Sequence, residues 1–345
     1  MKKNLFLTTI AGIKTAETPV WMMRQAGRYL TEYREVRSHQ PDFISFCLNP
    51  EKASEVTIQP ITRFSMDAAI IFSDILLIPW ALDRGVHFKS GLGPILKPME
   101  LPTDFNQSLI QDITKRLDPV AEAIKKTRYH LNNETSLIGF AGAPWTVITY
   151  MAEGKSSRDF TKARKWAWQN PKLMDILMES LILATVEFLT MQAEAGADAL
   201  MLFDSWASIV PASQRNWLVI EPTKKIISSL REKKVSQPVI GFPRGFGDGL
   251  IQYANETGIN ALAIDQGVDP AWAHKNIPLE MPIQGNLDPL SLLSDGKQMM
   301  YDIDKIMDAF KDRPHVFNLG HGVTPETPVE NVQLMVEHIR SRSYG

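Results

Sequence analysis

Short apolar runs recur along the whole chain, and each is followed by a polar or glycine-rich turn and then by a segment with helical spacing. Continuous apolar runs of this length are typical of parallel strands that are buried on both faces. Seven runs have this form, at residues 68–72, 137–140, 199–203, 239–242, 261–264, 282–284 and 316–319. The pattern therefore predicts at least seven buried strands.

The segments between these runs show apolar spacing near 3.6 residues and predict helices. They lie at residues 50–63, 118–131, 171–195, 213–233, 294–310 and 325–340. Residues 85–94 differ, because Ser90 and Gly91 stand between two short alternating runs and predict a β-hairpin inserted after the first strand.

Seven strand–helix alternations favour an α/β fold of the (β/α)8 type, the TIM barrel, although the pattern does not reveal an eighth strand. A doubly wound open sheet is the alternative. That fold usually carries G-x-G-x-x-G after its first strand, and none follows Phe72. No low-complexity linker divides the chain, so we predict a single domain over residues 1–345.

Composition narrows the classes of function. The 345 residues are 44% hydrophobic and 22% charged, with a formal net charge of −2, which gives no general attraction to nucleic acid or to anionic membranes. Cys47 is the only cysteine, and the seven histidines are scattered, so no metal-ligand motif is present. No signal-peptide or membrane-spanning run is found, which predicts a cytoplasmic protein.

A local cluster of arginines stands out against this neutral background. Arg24 and Arg28 lie four residues apart, and Arg34 and Arg37 follow. If residues 24–37 form a helix, Arg24 and Arg28 share one face and repel each other. Because the guanidinium group binds carboxylate or phosphate through two parallel hydrogen bonds, the cluster predicts an anionic ligand.

Polar residues follow the predicted strands, where a barrel of this type holds its working groups. Asp74 ends the first run, and its burial without a partner would be costly. It requires either an ion pair with Arg24 or Arg28 or a ligand that donates hydrogen bonds. His321 lies between two glycines after the last run, where it could contact a ligand or stabilise a tight turn.

Several longer motifs, taken together, resemble those of the uroporphyrinogen decarboxylase family. They lie in residues 19–30, 69–76, 139–145, 149–154, 284–289 and 318–322, so the resemblance covers essentially the whole chain. It implies a homodimer of barrels that works without metal or organic cofactor. It also implies conversion of uroporphyrinogen III to coproporphyrinogen III in haem biosynthesis, in which four acetate arms become methyl groups.

The resemblance also implies roles for individual residues. Asp74 and Arg24 match the catalytic positions, with Asp74 facing the pyrrole N–H groups and stabilising the cation formed on the ring. Other residues match positions that bind substrate: Arg28, Arg37, Tyr150, Ser205 and His321 for its carboxylates, and Phe140 and Phe203 for the apolar wall around the macrocycle. Arg244 replaces a lysine more common in the family, and its role stays open.

Three other functions compete with this interpretation. A methyltransferase on the same barrel would typically bind zinc through histidine and cysteine, but Cys47 precedes the first strand and no His-x-Cys pair exists. A non-catalytic tetrapyrrole-binding protein would need the arginines but not Asp74. A simple anion-binding barrel would not prefer reduced tetrapyrroles to other polycarboxylates.

Overall fold

Seven parallel strands form one curled sheet in a computed structural model of the chain, which describes residues 4–89 and 91–342. The order in this sheet is β1-β4-β5-β6-β7-β8-β9, so neighbours in space are also neighbours along the chain. The strands of the described residues are β1 Ala68–Ile70, β2 His87–Lys89, β3 Gly93–Ile95, β4 Ser136–Gly142, β5 Ala199–Asp204, β6 Val239–Pro243, β7 Ala261–Ala263, β8 Ile283–Gln284 and β9 His315–Val316.

All seven predicted strands are confirmed, with ends that differ by a few residues. Their side chains are buried almost throughout, as expected for a parallel sheet that is covered on both faces. β2 and β3 form a separate antiparallel pair that follows β1 along the chain. Ser90, in the predicted turn between them, lies outside the described residues.

The two edge strands of the curled sheet are connected through residues 19–21, which we call the seam. Val20 forms a parallel bridge with Phe317, directly after β9. On its other side the carbonyl oxygen of Val20 accepts a hydrogen bond from the N–H of Asp67, directly before β1, at 2.9 Å. The N–H of Val20 donates to Oδ2 of Asp67 at 2.7 Å.

Helices follow most strands. The α-helices of the described residues are α1 Leu5–Ile10, α2 Thr31–Ser38, α3 Phe43–Cys47, α4 Pro50–Phe64, α5 Leu77–Ala81, α6 Ile113–His130, α7 Pro144–Glu153, α8 Thr161–Gln169, α9 Pro171–Glu194, α10 Glu221–Glu232, α11 Gly249–Glu256, α12 Pro270–Asn276, α13 Gly296–Phe310 and α14 Val329–Ser341. The six predicted helices correspond to α4, α6, α9, α10, α13 and α14. The predicted helix at 213–233 is divided, because a π-helical turn at Asn216–Ile220 precedes α10.

Residues 24–37 do not form one helix. Helix α2 begins only at Thr31, and Arg24 has a left-handed backbone with φ 60°. Two turns occupy the preceding segment, closed by hydrogen bonds from the N–H of Gln25 to Met22 and from the N–H of Leu30 to Gly27. Arg24 and Arg28 therefore do not lie one turn apart on a helix.

Among residues 4–89 and 91–342, no helix combines the length and the apolar composition needed to cross a bilayer.

Candidate active site

The polar residues that follow the strands meet at one edge of the sheet, because parallel strands all end on the same side. Asp74 follows β1, and Arg24 follows the seam. Ser205 follows β5, Arg244 follows β6, and His321 follows β9.

Asp74 is half-buried, and the N–H of Leu76 donates a hydrogen bond to its Oδ1 at 2.8 Å. Burial raises the pKa of Asp74 to about 6, although that hydrogen bond and the positive charge of Arg24 act in the opposite direction. Within the described residues no Arg or Lys nitrogen lies within 4.0 Å of its carboxylate. The alternative of an ion pair with Arg24 or Arg28 is therefore wrong, and the carboxylate stays open to a ligand.

Arg24 crosses the backbone of the loop after β9. A β-carbon at position 322 would lie 2.2 Å from Cδ of Arg24, so only glycine admits the arginine stem there. The segment is held in place by the N–H of Met23, which donates to Oδ1 of Asn318 at 3.0 Å. Gly322 thus makes room for the stem of Arg24.

His321 is half-buried between two cationic residues. Burial, and then the charges of Arg24 and Arg244, lower its pKa to about 3, so the imidazole is neutral at physiological pH. Its Nδ1 is buried and has no hydrogen-bond partner among the described residues. The imidazole is therefore not fixed by hydrogen bonds of its own turn, and it can exchange a hydrogen bond with a ligand.

Aromatic side chains form one wall beside these groups. The rings of Phe140 and Phe203 meet edge to face with centroids 5.4 Å apart, and Phe203 contacts Phe242 at 5.9 Å. Tyr150, on α7, is only 8% exposed and meets the ring of Trp206 at 6.4 Å. Trp206 directly follows Ser205, so Tyr150 packs against the loop that carries Ser205.

The family of the chain follows from its match to a protein-family model. A family model described as "Uroporphyrinogen decarboxylase (URO-D)" matches residues 1–342. The chain belongs to the uroporphyrinogen decarboxylase family. The resemblance inferred from the sequence motifs is thus confirmed.

Individual members of the uroporphyrinogen decarboxylase family match along nearly their full length. The uroporphyrinogen decarboxylase of Maricaulis maris is 46% identical over 343 residues, which are 99% of each chain. That of Granulibacter bethesdensis is 47% identical over 97% of this chain and 98% of its own. Among solved structures, a methyltransferase from Methanosarcina mazei is similar in fold, with a TM-score of 0.79 over 97% of both chains and 18% identity.

The arginines matched to the decarboxylase family do not all lie in one place. Arg28 is exposed in the turn before α2, and Arg37 lies on α2, where its Nη1 donates to the carbonyl oxygen of Gln40 at 2.9 Å. The pKa of the Cys47 thiol is raised, first by burial and then by the charge of Asp74. The charge of Arg37 acts on it in the opposite direction. Arg37 therefore approaches the site from the side of Cys47, whereas Arg24 approaches from the loop after β9.

Sequence reasoning missed a buried pair that supports this aromatic wall. Asp204 is 2% exposed at the end of β5, and burial raises its pKa to about 7. The hydroxyl of Thr146, on α7, donates to its Oδ1 at 2.5 Å and accepts from the N–H of Trp206 at 3.1 Å. One hydroxyl thus joins the helix of Tyr150 to the loop of Ser205. The only signal of Thr146 in the sequence was its position in the first turn after strand β4.

Within the described residues, no group of three or more His, Cys, Asp or Glu side chains is arranged to hold a metal ion.

Proposed function

We propose that this protein is a uroporphyrinogen decarboxylase, which removes the four acetate carboxyl groups of uroporphyrinogen III and yields coproporphyrinogen III in tetrapyrrole (haem) biosynthesis. Family membership gives the reaction. The observation that carries the chemistry is the half-buried carboxylate of Asp74, which has no ion-pair partner among the described residues and lies within electrostatic reach of Arg24.

Decarboxylation of an acetate arm needs an acceptor for the electron pair of the breaking C–C bond. A proton added to the neighbouring pyrrole carbon makes the ring a cation that can take this pair. Carbon dioxide then leaves, and a second proton on the methylene carbon completes the methyl group. The ring regains its neutral form when it returns the first proton.

Asp74 is suited to stabilise that cationic ring. With a pKa of about 6 its carboxyl group is mostly ionised at neutral pH, although burial opposes the charge. Pyrrole N–H groups would supply the hydrogen bonds that the carboxylate lacks. Because the ring becomes positively charged when it is protonated, before the C–C bond breaks, this attraction is stronger for the protonated ring than for the bound neutral substrate.

Arg24 would orient the acetate carboxylate beside Asp74. Arginine stays protonated in proteins, so direct proton donation from the guanidinium group is unfavourable. We infer that Arg24 holds a water molecule against the substrate, and that this water passes on a proton from the solvent while the guanidinium group keeps its own. The neutral imidazole of His321 lies next to the same guanidinium group and supports a hydrogen bond to a substrate arm.

The remaining family positions would bind the substrate. Arg28 and Arg37 would attract its carboxylates, and Tyr150 and Ser205 would donate hydrogen bonds to them. Phe140 and Phe203 would line the apolar side of the macrocycle. The edge-to-face contact of the two rings, together with the partly exposed face of Phe203, supports this assignment.

We further infer the architecture in which the reaction occurs. The hydrogen bonds on both sides of Val20 support a closed (β/α)8 barrel, in which the seam is the eighth strand. We propose one domain over residues 1–345 that acts as a cytoplasmic homodimer without metal or organic cofactor. Neither nucleic acid nor membrane is proposed as a partner.

The deciding experiment is incubation with uroporphyrinogen III under reducing conditions, followed by chromatography of the oxidised products. We expect a series from hepta- to tetracarboxylate porphyrins without added metal. Absence of that series would overturn the proposal. A requirement for metal would contradict the cofactor-free mechanism.

Asp74→Asn separates an enzyme from a tetrapyrrole-binding protein. The variant should bind uroporphyrinogen and lose at least about 100-fold in kcat, because a pre-organised charge in the site is removed. Asp312→Asn is the matched control, since Asp312 is exposed at the opposite end of the strands, before β9. Equal activity in both variants would contradict the role of Asp74.

A further inference from the structure

Arg244 is a half-buried cation in the loop that follows β6. Its N–H donates to the carbonyl oxygen of Asp204 at 3.1 Å, which fixes the start of this loop against the end of β5. No carboxylate lies within 4.0 Å of its guanidinium group among the described residues. Some other arginines of the described residues form ion pairs, as Arg128 does with Asp198 at 2.7 Å.

A continuous set of loops connects Arg244 to His321. The N–H groups of Gly245 and Gly267 donate to the two carboxylate oxygens of Asp265, at 2.7 and 2.8 Å. The next loop is equally close, because a β-carbon at Gly320 would lie 2.2 Å from the backbone nitrogen of Gln266. These loops follow β6, β7 and β9. In the sheet the order is β6-β7-β8-β9, so only the loop after β8 is missing from this set.

The order of the strands therefore fixes the order of the side chains around the site. Arg244 follows β6, His321 follows β9, Arg24 follows the seam, and Asp74 follows β1. The charges agree with this order, since Arg24 acts on both Asp74 and His321, whereas Arg244 acts on His321. In this order His321 lies between Arg244 and the reacting centre at Arg24 and Asp74.

We propose that Arg244 binds a propionate carboxylate of the substrate, which does not react. This inference rests on the proposed function. The acetate that reacts must lie beside Asp74 and Arg24, and each pyrrole of uroporphyrinogen carries a propionate on the neighbouring carbon. A cation beyond His321 is placed for an arm next to the reacting one. Because all four propionates persist through the decarboxylations, Arg244 would have a propionate available at every step.

A cation that holds a non-reacting arm stabilises the bound substrate and the transition state equally. Its loss should therefore raise KM and leave kcat nearly unchanged. We expect Arg244→Gln to raise KM for uroporphyrinogen roughly 10- to 100-fold, the range for one charge-assisted contact. Arg244→Lys should recover most of the loss. Lys311→Gln, an exposed cation just before β9 at the opposite end of the strands, is the matched control.

The deciding measurement is anaerobic calorimetric titration with coproporphyrinogen III, which carries propionates and no acetates. With Asp74→Asn present in every protein compared, so that uroporphyrinogen III is not consumed, Arg244→Gln should weaken the binding of both ligands by the same factor. If only the binding of uroporphyrinogen III were weakened, Arg244 would be assigned to an acetate and the proposal would be overturned. Affinities of Arg244→Gln equal to those of Lys311→Gln would also overturn it. Because titration requires no turnover, it tests Arg244 even if the wild-type protein fails the decarboxylation assay, which would overturn the proposed function separately.

Discussion

At the scale of single residues, the feature with most consequence is Asp74, because burial raises the pKa of its carboxyl group to about 6. The position of Asp74 was predictable, because it directly follows an apolar run that a barrel turns into a strand. Its environment was not. The raised pKa depends on burial, which the charge of Arg24 opposes, and the sequence alone gives neither the exposure nor the distance.

The titration of Asp74 predicts a change in stability. An unfolded aspartate titrates near pH 3.8 and the folded one near 6, so the folded protein binds its proton more tightly and loses stability as pH rises between these values. Asp74→Asn should therefore raise the free energy of unfolding at pH 8 by about 1–3 kcal/mol and should have little effect at pH 3.5. Denaturant titrations at both pH values, with Asp312→Asn as control, measure this difference. A destabilised variant at pH 8 would contradict the role of burial.

The same pKa predicts the pH dependence of the reaction. If the ionised carboxylate of Asp74 is the active form, kcat/KM should be level above about pH 7 and fall roughly tenfold per unit well below pH 6. Substrate carboxyl groups ionise at lower pH and should not contribute above pH 5. Rates between pH 5 and 8 test this, and a level profile across that range would count against Asp74 as the titrating group.

At the scale of elements, the sequence predicted what depends on continuous local pattern. The apolar runs gave all seven strands of the sheet, and helical spacing gave the longer helices. The seam was missed because Val20 is held by Asp67 and Phe317, which are distant along the chain. The turns before α2 were not foreseen, because the left-handed backbone of Arg24 leaves no signature in the pattern of charges.

The loop after β9 offers a paired test of two glycines. Gly322→Ala would put a β-carbon 2.2 Å from Cδ of Arg24, a flexible side chain that can move aside. Gly320→Ala would put one 2.2 Å from the backbone nitrogen of Gln266, which cannot. We expect the first variant to lose at least about 10-fold in kcat, because Arg24 would be displaced from the site. This loss corresponds to an increase of about 1.4 kcal/mol in the activation barrier. The Tm should change little.

The second glycine variant should instead unfold more easily, by about 2 kcal/mol or more, because overpacking against backbone has no inexpensive relief. Gly296→Ala is the control, since the nearest atom to its added β-carbon would be 4.0 Å away. Thermal unfolding and steady-state kinetics of the three variants give the comparison. Similar behaviour of Gly320→Ala and Gly322→Ala would contradict this assignment.

At the scale of the whole molecule, a few hydrogen bonds join the first and last strands. Asp67 carries several of them, because its Oδ2 accepts from the N–H of Val20 at 2.7 Å and from Nη2 of Arg340 at 2.8 Å. Asp67→Ala would leave the Val20 N–H without its partner and remove the ion pair. We expect a loss of about 1–3 kcal/mol in the free energy of unfolding.

Hydrogen exchange locates the effect of that variant. The amides of Val20 and Met23 should exchange faster in Asp67→Ala, whereas that of Leu202, in the middle of β5, should change only by the global loss of stability. Asp67→Asn, which can still accept from Val20, should be intermediate. Uniform acceleration at all three amides would mean that the seam does not open on its own.

Arg24 directly extends the segment that joins the two edge strands, and this has a consequence for heat inactivation. The seam is fully buried, since Val20 and Trp21 are 0% exposed, and its backbone is hydrogen-bonded to residues next to both edge strands. It should therefore open only together with the sheet. Arg24 should then stay within electrostatic reach of Asp74 until the fold is lost, so decarboxylation should cease at the same temperature at which helical ellipticity is lost.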